Sequence, residues 1–180
     1  MTPHGDLTAK LAEMISPYWK DRGFKVLHDH GIAPSKENIG KIVSTLHKEY
    51  KNGDELSQLD IAFVNQDTNQ IAILLEIEET TDKPKTFLGD IFGVLFGEYI
   101  FFKRKALFIK ANTLLVVVGV NRTNHDVRNK GIQKQVNRAK ANLGTRNARI
   151  RKVVVKTFAN EQKLIEQLPL LLESLINRKL

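Results

Sequence analysis

Five branched apolar residues in a row, Leu114-Leu115-Val116-Val117-Val118, constrain this chain more than any other feature. A strand with one wet face alternates apolar and polar residues, and this run has no polar position to offer. It therefore predicts an interior strand over Thr113–Val120 with both faces covered. A mixed sheet flanked by helices satisfies that demand, so the expected fold class is α/β. The run is far too short to cross a bilayer as a helix. The longer stretch Phe87–Phe102 is also short for a span and carries Asp90 and Glu98.

The other segments alternate in type. A helix is expected from Asp6, with Leu7, Leu11, Met14, Ile15, Tyr18 and Trp19 on one stripe and a kink or break at Pro17. Phe24–His28 reads as a short strand. Pro34-Ser35 opens a second expected helix to Tyr50 through Ile39, Ile42, Val43 and Leu46. Two β segments follow, Gln58–Val64 and Ile71–Glu78, then a buried helix over Thr86–Lys103. Gly89, Gly93 and Gly97 recur on one side of it, suiting close helix–sheet packing or the seam of a homodimer. A helix from about Asp126 to Leu143, a strand over Ile150–Phe158 and a helix after Asn160, interrupted at Pro169, complete the chain. Nothing resembling a linker or repeat divides it, so residues 1–180 are expected to form a single domain. The start, Met1-Thr2-Pro3-His4-Gly5-Asp6, has no basic-then-apolar leader, which sets the expectation of a cytoplasmic protein. There are no cysteines, which excludes disulfides, thiolate zinc sites and a thiol nucleophile.

The β hairpin carries the chemistry. Alternate strand residues share a face. Placing Leu59, Ile61 and Phe63 on the same side as Ile73, Leu75 and Ile77 pairs Phe63 with Ile73, Ile61 with Leu75 and Leu59 with Ile77. The opposite face then pairs Val64 with Ala72, Ala62 with Leu74, Asp60 with Glu76 and Gln58 with Glu78. Like charges placed opposite each other destabilise a strand pair, and clustered carboxylates raise one another's pKa. A divalent cation between them resolves the conflict. Oxygen ligands in this number suit Mg²⁺, with Mn²⁺ or Ca²⁺ as substitutes.

A second signal is the charge between Asn121 and Lys156, where eleven basic residues face one acid, Asp126. That is +10 in one segment of a chain whose total is +8, the footprint of a polyanion partner. Lys130, Lys134 and Arg138 recur every four residues opposite a narrow apolar stripe of Ile132, Val136, Ala139 and Leu143. Such a helix can lie along a phosphate backbone, with Gln133, Gln135 and Asn137 reaching phosphates or bases. Arg122, Arg146 and Arg149 extend the candidate surface.

Asp60 on one strand and Glu76-Ile77-Glu78 on the next resemble the PD-(D/E)XK nuclease superfamily, the restriction-endonuclease-like fold. The hairpin, the following helix and the apolar strand Thr113–Val120 match that family's order. The resemblance implies a nuclease-like core over about residues 36–120 and a basic helix–strand–helix extension over about 121–180. It also implies that Asp60, Glu76 and the Ile77 carbonyl bind Mg²⁺, while Glu78 orients or deprotonates the attacking water. Leu59 replaces the family's proline, and Glu78 stands where the family usually has lysine. An acid-x-Glu triplet occurs in some restriction enzymes of the family. In other members the lysine is relocated, for which Lys83 and Lys85 are candidates. Members often add a glutamate from a helix before the hairpin, and Glu49 is the candidate. The family's first helix would be either Asp6–Arg22 or Lys36–Tyr50.

The expected function is thus metal-dependent hydrolysis of DNA, duplex or branched, by a restriction- or repair-type endonuclease. The alternative is a nucleic-acid-binding or assembly protein that keeps the fold without catalysis. A glycoside hydrolase built on Asp60 and Glu76 would want an aromatic sugar platform, and aromatics are only 7% of the chain. His28-Asp29-His30 would need a third metal ligand and reads instead as a polar strand end.

Overall fold

The computed structural model describes residues 5–30, 36–51, 53–78, 84–120, 125–143 and 149–177. Helix α1 (Asp6–Lys20) and strand β1 (Phe24–His28) are followed by a 3-10 turn (Lys36–Asn38), then β2 (Ile42–Thr45), β3 (Glu55–Leu59), β4 (Ile61–Asn65) and β5 (Ile71–Glu78). Next come α2 (Pro84–Phe96), β6 (Tyr99–Phe102), β7 (Lys105–Phe108), β8 (Thr113–Val120), α3 (His125–Leu143), β9 (Ile150–Phe158) and α4 (Glu161–Asn177).

The main sheet has the order β1-β4-β5-β8-β9. Its first three strands are antiparallel, whereas β8 and β9 run parallel to β5. Both faces are covered. Leu7, Leu11, Ile15 and Trp19 of α1, with Leu164, Leu168 and Leu172 of α4, pack on Ile61, Phe63, Ile73, Leu75 and Val116. On the other face, Ile91, Val94 and Leu95 of α2, with Ile132 and Val136 of α3, cover Ala62, Leu74, Leu115 and Val117. Every residue from Thr113 to Gly119 is buried, as the unbroken apolar run predicts. The sheet takes in β1 at one edge and β9 at the other. The core is therefore not confined to residues 36–120, and a cut at 120 would separate the paired strands β8 and β9.

A second sheet, β3-β2-β6-β7, lies against α2. It replaces two expected helical stretches. Residues 36–50 are not a helix: Ile42-Val43-Ser44-Thr45 is a central strand, fully buried and laddered to both β3 and β6. Its β-branched side chains favour the pleat, and the helical spacing of Ile39, Ile42, Val43 and Leu46 carried no such information. The expected helix over 86–103 ends at Phe96, beyond which Tyr99–Phe102 pairs with β2. Neither proline divides its helix: α1 runs through Pro17 and α4 through Pro169. Asn160 caps α4 by accepting the Lys163 N–H at 2.8 Å.

Gly93 of α2 and Gly97 just past its end face the second sheet, whereas Gly89 is exposed. A Cβ at Gly93 would stand 2.5 Å from the Leu56 carbonyl oxygen, and one at Gly97 would strike the Ser44 hydroxyl. They serve helix–sheet packing, so the Gly93–Gly97 face is not available as a dimer seam. Among the described residues, no helix is long and apolar enough to cross a membrane.

Candidate functional site

The hairpin forms with the expected central register, Ile61 to Leu75, Ala62 to Leu74 and Phe63 to Ile73. A shift then pairs Val64 with Ile71 rather than Ala72. At the other end the ladder stops at Ile61. The chain bends at Asp60, and Gln58 and Leu59 pair with Val43 and Ile42 in the second sheet. Leu59 accordingly packs in the α2–α3 core, while Ile61 packs in the α1–α4 core. Asp60 therefore does not oppose Glu76 across a strand pair. It occupies the notch where β3 and β4 part.

That notch brings Asp60 to the end of β5. Its Oδ2 accepts the Ile77 N–H at 2.6 Å, and its Oδ1 accepts the Thr8 hydroxyl of α1 at 3.2 Å. An extended residue directs its N–H and C=O to the same edge, so the Ile77 carbonyl also faces the notch. Glu76 lies between Leu75 and Ile77, which belong to the α1–α4 core, and so it points to the opposite face, toward Asp90 of α2. Although Glu76 as a residue is only partly buried, its Oε2 is shielded from water and has no hydrogen-bond partner among the described residues.

Removal from water, and then the charge of Asp29, push the Asp60 carboxyl up to about 7, against the pull of the Ile77 N–H and Thr8 hydroxyl. Burial likewise raises Glu76 well above the usual carboxylate range, reinforced by Asp60, Asp90, Asp29 and Glu78. Asp90 is raised by burial and by Glu78. Five carboxylates thus share one end of the main sheet. A raised carboxyl binds more protons in the native than in the unfolded chain. Its contribution to stability is therefore complete below pH 4 and is lost as the pH rises through about 7. Cation-free protein is expected to show a falling Tm between pH 6 and pH 8, and a divalent cation should restore it more at pH 8 than at pH 6. A thermal-melt series with and without Mg²⁺ checks both signs.

The donor set suits a hard dication: carboxylate oxygens, one buried oxygen without a partner, and a backbone carbonyl. Asp60, Glu76 and Glu78 lie at the same end of the sheet, and Asp60 and Glu78 are close enough to raise Glu76. Among the described residues, however, the acids and histidines whose ligand atoms come within 4.8 Å of one another are Asp29, His30 and Asp60 rather than these three. Glu49 is in neither group: it is exposed in the turn joining β2 and β3, at the end of that hairpin remote from Leu59. Lys83 lies outside the described residues. Lys85 is in the first turn of α2, and its side chain lies outside the described ones.

Two further residues went unassigned in the sequence. Asp29 and His30 follow β1, the Asp29 N–H donates to the Asp60 carbonyl at 3.0 Å, and Asp29, His30 and Asp60 offer ligand atoms within 4.8 Å of one another. The signal was present in His28-Asp29-His30. The third member of that group, Asp60, is thirty residues away and is brought there by the β1–β4 pairing.

On α3, Lys130, Lys134 and Arg138 are exposed and line an open groove of about 640 Å³ with Gln133, Asn137, Ala141 and Val155. Gln133 is not available to nucleic acid. Its amide donates to the Val153 carbonyl at 3.2 Å and accepts the Val155 N–H at 3.1 Å, filling the open edge of β9 as a further strand would. Arg149 also leaves the candidate surface: it bonds Glu98 at 2.9 Å and lies over the Phe108 ring at 4.5 Å. Arg122 and Arg146 lie outside the described residues. In comparisons with known proteins, no family model, curated protein or solved structure matches this chain.

Proposed function

We propose that this protein is a metal-dependent endonuclease that hydrolyses DNA phosphodiester bonds, with a restriction-endonuclease-like core. The observation that carries this reading is the crowding of Asp60, Asp90, Asp29 and Glu78 around Glu76, close enough to hold its carboxyl up, with Glu76 Oε2 buried and, among the described residues, without a hydrogen-bond partner. The order hairpin, α2, β8 is the one the family resemblance calls for. Of the two candidates for its first helix, only Asp6–Lys20 is helical.

Asp60, Glu76 and the Ile77 carbonyl would hold Mg²⁺. Bound there, the cation would polarise a phosphate oxygen and stabilise charge on the leaving oxygen. Asp60 is kept in place by the Ile77 N–H and the Thr8 hydroxyl, so it needs no rearrangement to act as a ligand. Glu78 follows Ile77 on β5 and is close enough to raise both Glu76 and Asp90. Its carboxylate would orient a water and accept its proton. Helix α3 starts beyond β8, whose Gly119 pairs with Glu78, so its basic row begins near the acidic end of the sheet. Lys130, Lys134 and Arg138 would track the phosphates leading to the acids.

The test is cleavage of plasmid and branched DNA in Mg²⁺. Wild type is expected to cut, and Asp60→Ala to bind without cutting. Undiminished cleavage in EDTA would contradict the proposal. Replacing Lys130, Lys134 and Arg138 with alanine is expected to weaken binding and to flatten its salt dependence, by about 0.9 in log–log slope per lost phosphate contact. Fluorescence anisotropy at several salt concentrations reads both.

One observation favours a second reading. Glu78 stands in the place of the family's lysine, which suits a nucleic-acid-binding protein that has lost cleavage. Salt-sensitive binding with no cutting in Mg²⁺ or Mn²⁺ would select it.

A further inference from the structure

The Asp29 side chain is only 5% exposed, and its Oδ2 accepts the Gln58 amide at 3.2 Å. Among the described residues its Oδ1 is buried without a hydrogen-bond partner, and its near neighbour is His30 Nδ1 at 2.7 Å, an ion pair when the imidazole is protonated. With the imidazole neutral, the two atoms stand close to the separation of about 3 Å that neighbouring ligands of a six-coordinate ion at about 2.1 Å take, and a cation can replace the proton between them. His30 packs against Gly5, where any Cβ would collide with the imidazole, so the bare α-carbon fixes where the ring can sit. Asp60 completes the set. Each of its oxygens accepts one hydrogen bond from the protein and keeps a lone pair for a metal.

We propose that Asp29, His30 and Asp60 form a second cation site, which shares Asp60 with the Asp60–Glu76 centre and takes a first-row transition ion of the Mn²⁺ type in preference to Mg²⁺. The preference follows from the imidazole. Mg²⁺ holds its waters and favours oxygen, whereas nitrogen donors suit the transition ions. The inference rests on the cation-dependent reading above only through the shared Asp60.

Calorimetric titration of the full chain with MnCl₂ and MgCl₂ separates the two. Wild type is expected to take up two Mn²⁺. His30→Gln and Asp29→Asn should each weaken one of them by about tenfold or more, with Mg²⁺ affinity of His30→Gln essentially unchanged. Glu76→Gln should weaken the other. Equal Mn²⁺ stoichiometry and affinity in wild type and His30→Gln, with binding lost only in Glu76→Gln, would overturn the second site and leave the Asp60–Glu76 centre standing. Binding lost in His30→Gln but intact in Glu76→Gln would support the second site and count against that centre. Should the variants fold poorly, pulsed electron paramagnetic resonance of Mn²⁺ on wild type supplies the check. Nitrogen coupling from one imidazole is expected, and its absence overturns the proposal.

Discussion

Glu76→Gln is expected to abolish Mg²⁺-dependent cleavage, by about 10³-fold or more, and at the same time to stabilise the cation-free protein at pH 8. The first effect follows from removing a cation ligand whose charge stabilisation dominates phosphoryl chemistry. The second follows from the site's own electrostatics. The Glu76 carboxyl is held away from water near Asp60, Asp90, Asp29 and Glu78, all of which disfavour its charge. Glutamine removes that repulsion, and its amide hydrogens can donate to the neighbouring carboxylates. A gain of about 1–2 kcal/mol is expected, or roughly 2–8 °C in Tm for a chain of this size. Mg²⁺ should raise the Tm of wild type but not of the variant. A loss of cleavage together with a fall in apo stability would mean that Glu76 is a structural residue.

Gly93→Ala carries the largest expected structural effect. In a helix, alanine ordinarily gains about 1 kcal/mol over glycine. Here the new Cβ would stand 2.5 Å from both the Leu56 carbonyl oxygen and the Ser57 Cβ. Gly93 also accepts the Ser44 hydroxyl at 3.1 Å. Overpacking against backbone of this kind costs about 1–3 kcal/mol or more, and the bond to Ser44 is strained as well. A net loss of roughly 2 kcal/mol is expected, lowering Tm by about 4–8 °C. Gly89→Ala is the matched control. It lies one turn earlier with nothing within 4 Å of the added carbon, so it should stabilise the protein. Denaturant melts of the two variants should therefore move in opposite directions.

The parts of the fold legible in the sequence are those where one physical signal has one reading. The five-residue apolar run demanded burial on both faces and is an interior strand. Asn160 before an apolar stripe marked a helix start and caps one. The hairpin's central register followed from putting Ile61 and Phe63 on the same side as Ile73 and Leu75. What failed depends on contacts distant in the chain. The bend at Asp60 exists because Gln58 and Leu59 are taken by β2, and strict alternation cannot foresee a strand that changes sheets. The hairpin of β6 and β7 has no Asn-Gly signal: Lys103 and Arg104 adopt the left-handed turn themselves, at φ 43° and 64°. For the site, composition and spacing led to Asp60, Glu76 and Glu78. Asp29 and His30 were out of reach until β1 was laid beside β4, and Arg149 and Gln133 had nearer partners than DNA.

The most direct measurement titrates Mg²⁺ into the protein calorimetrically at pH 7, in two buffers of different ionisation enthalpy. If Asp60 and Glu76 are held partly protonated by burial and by each other, cation binding must expel protons. The apparent heat will then differ between the buffers, and Asp60→Asn will lose both the binding and the difference. Wild type that binds no Mg²⁺, or an Asp60→Asn variant that binds it as tightly as wild type, would contradict a cation centre at this end of the sheet.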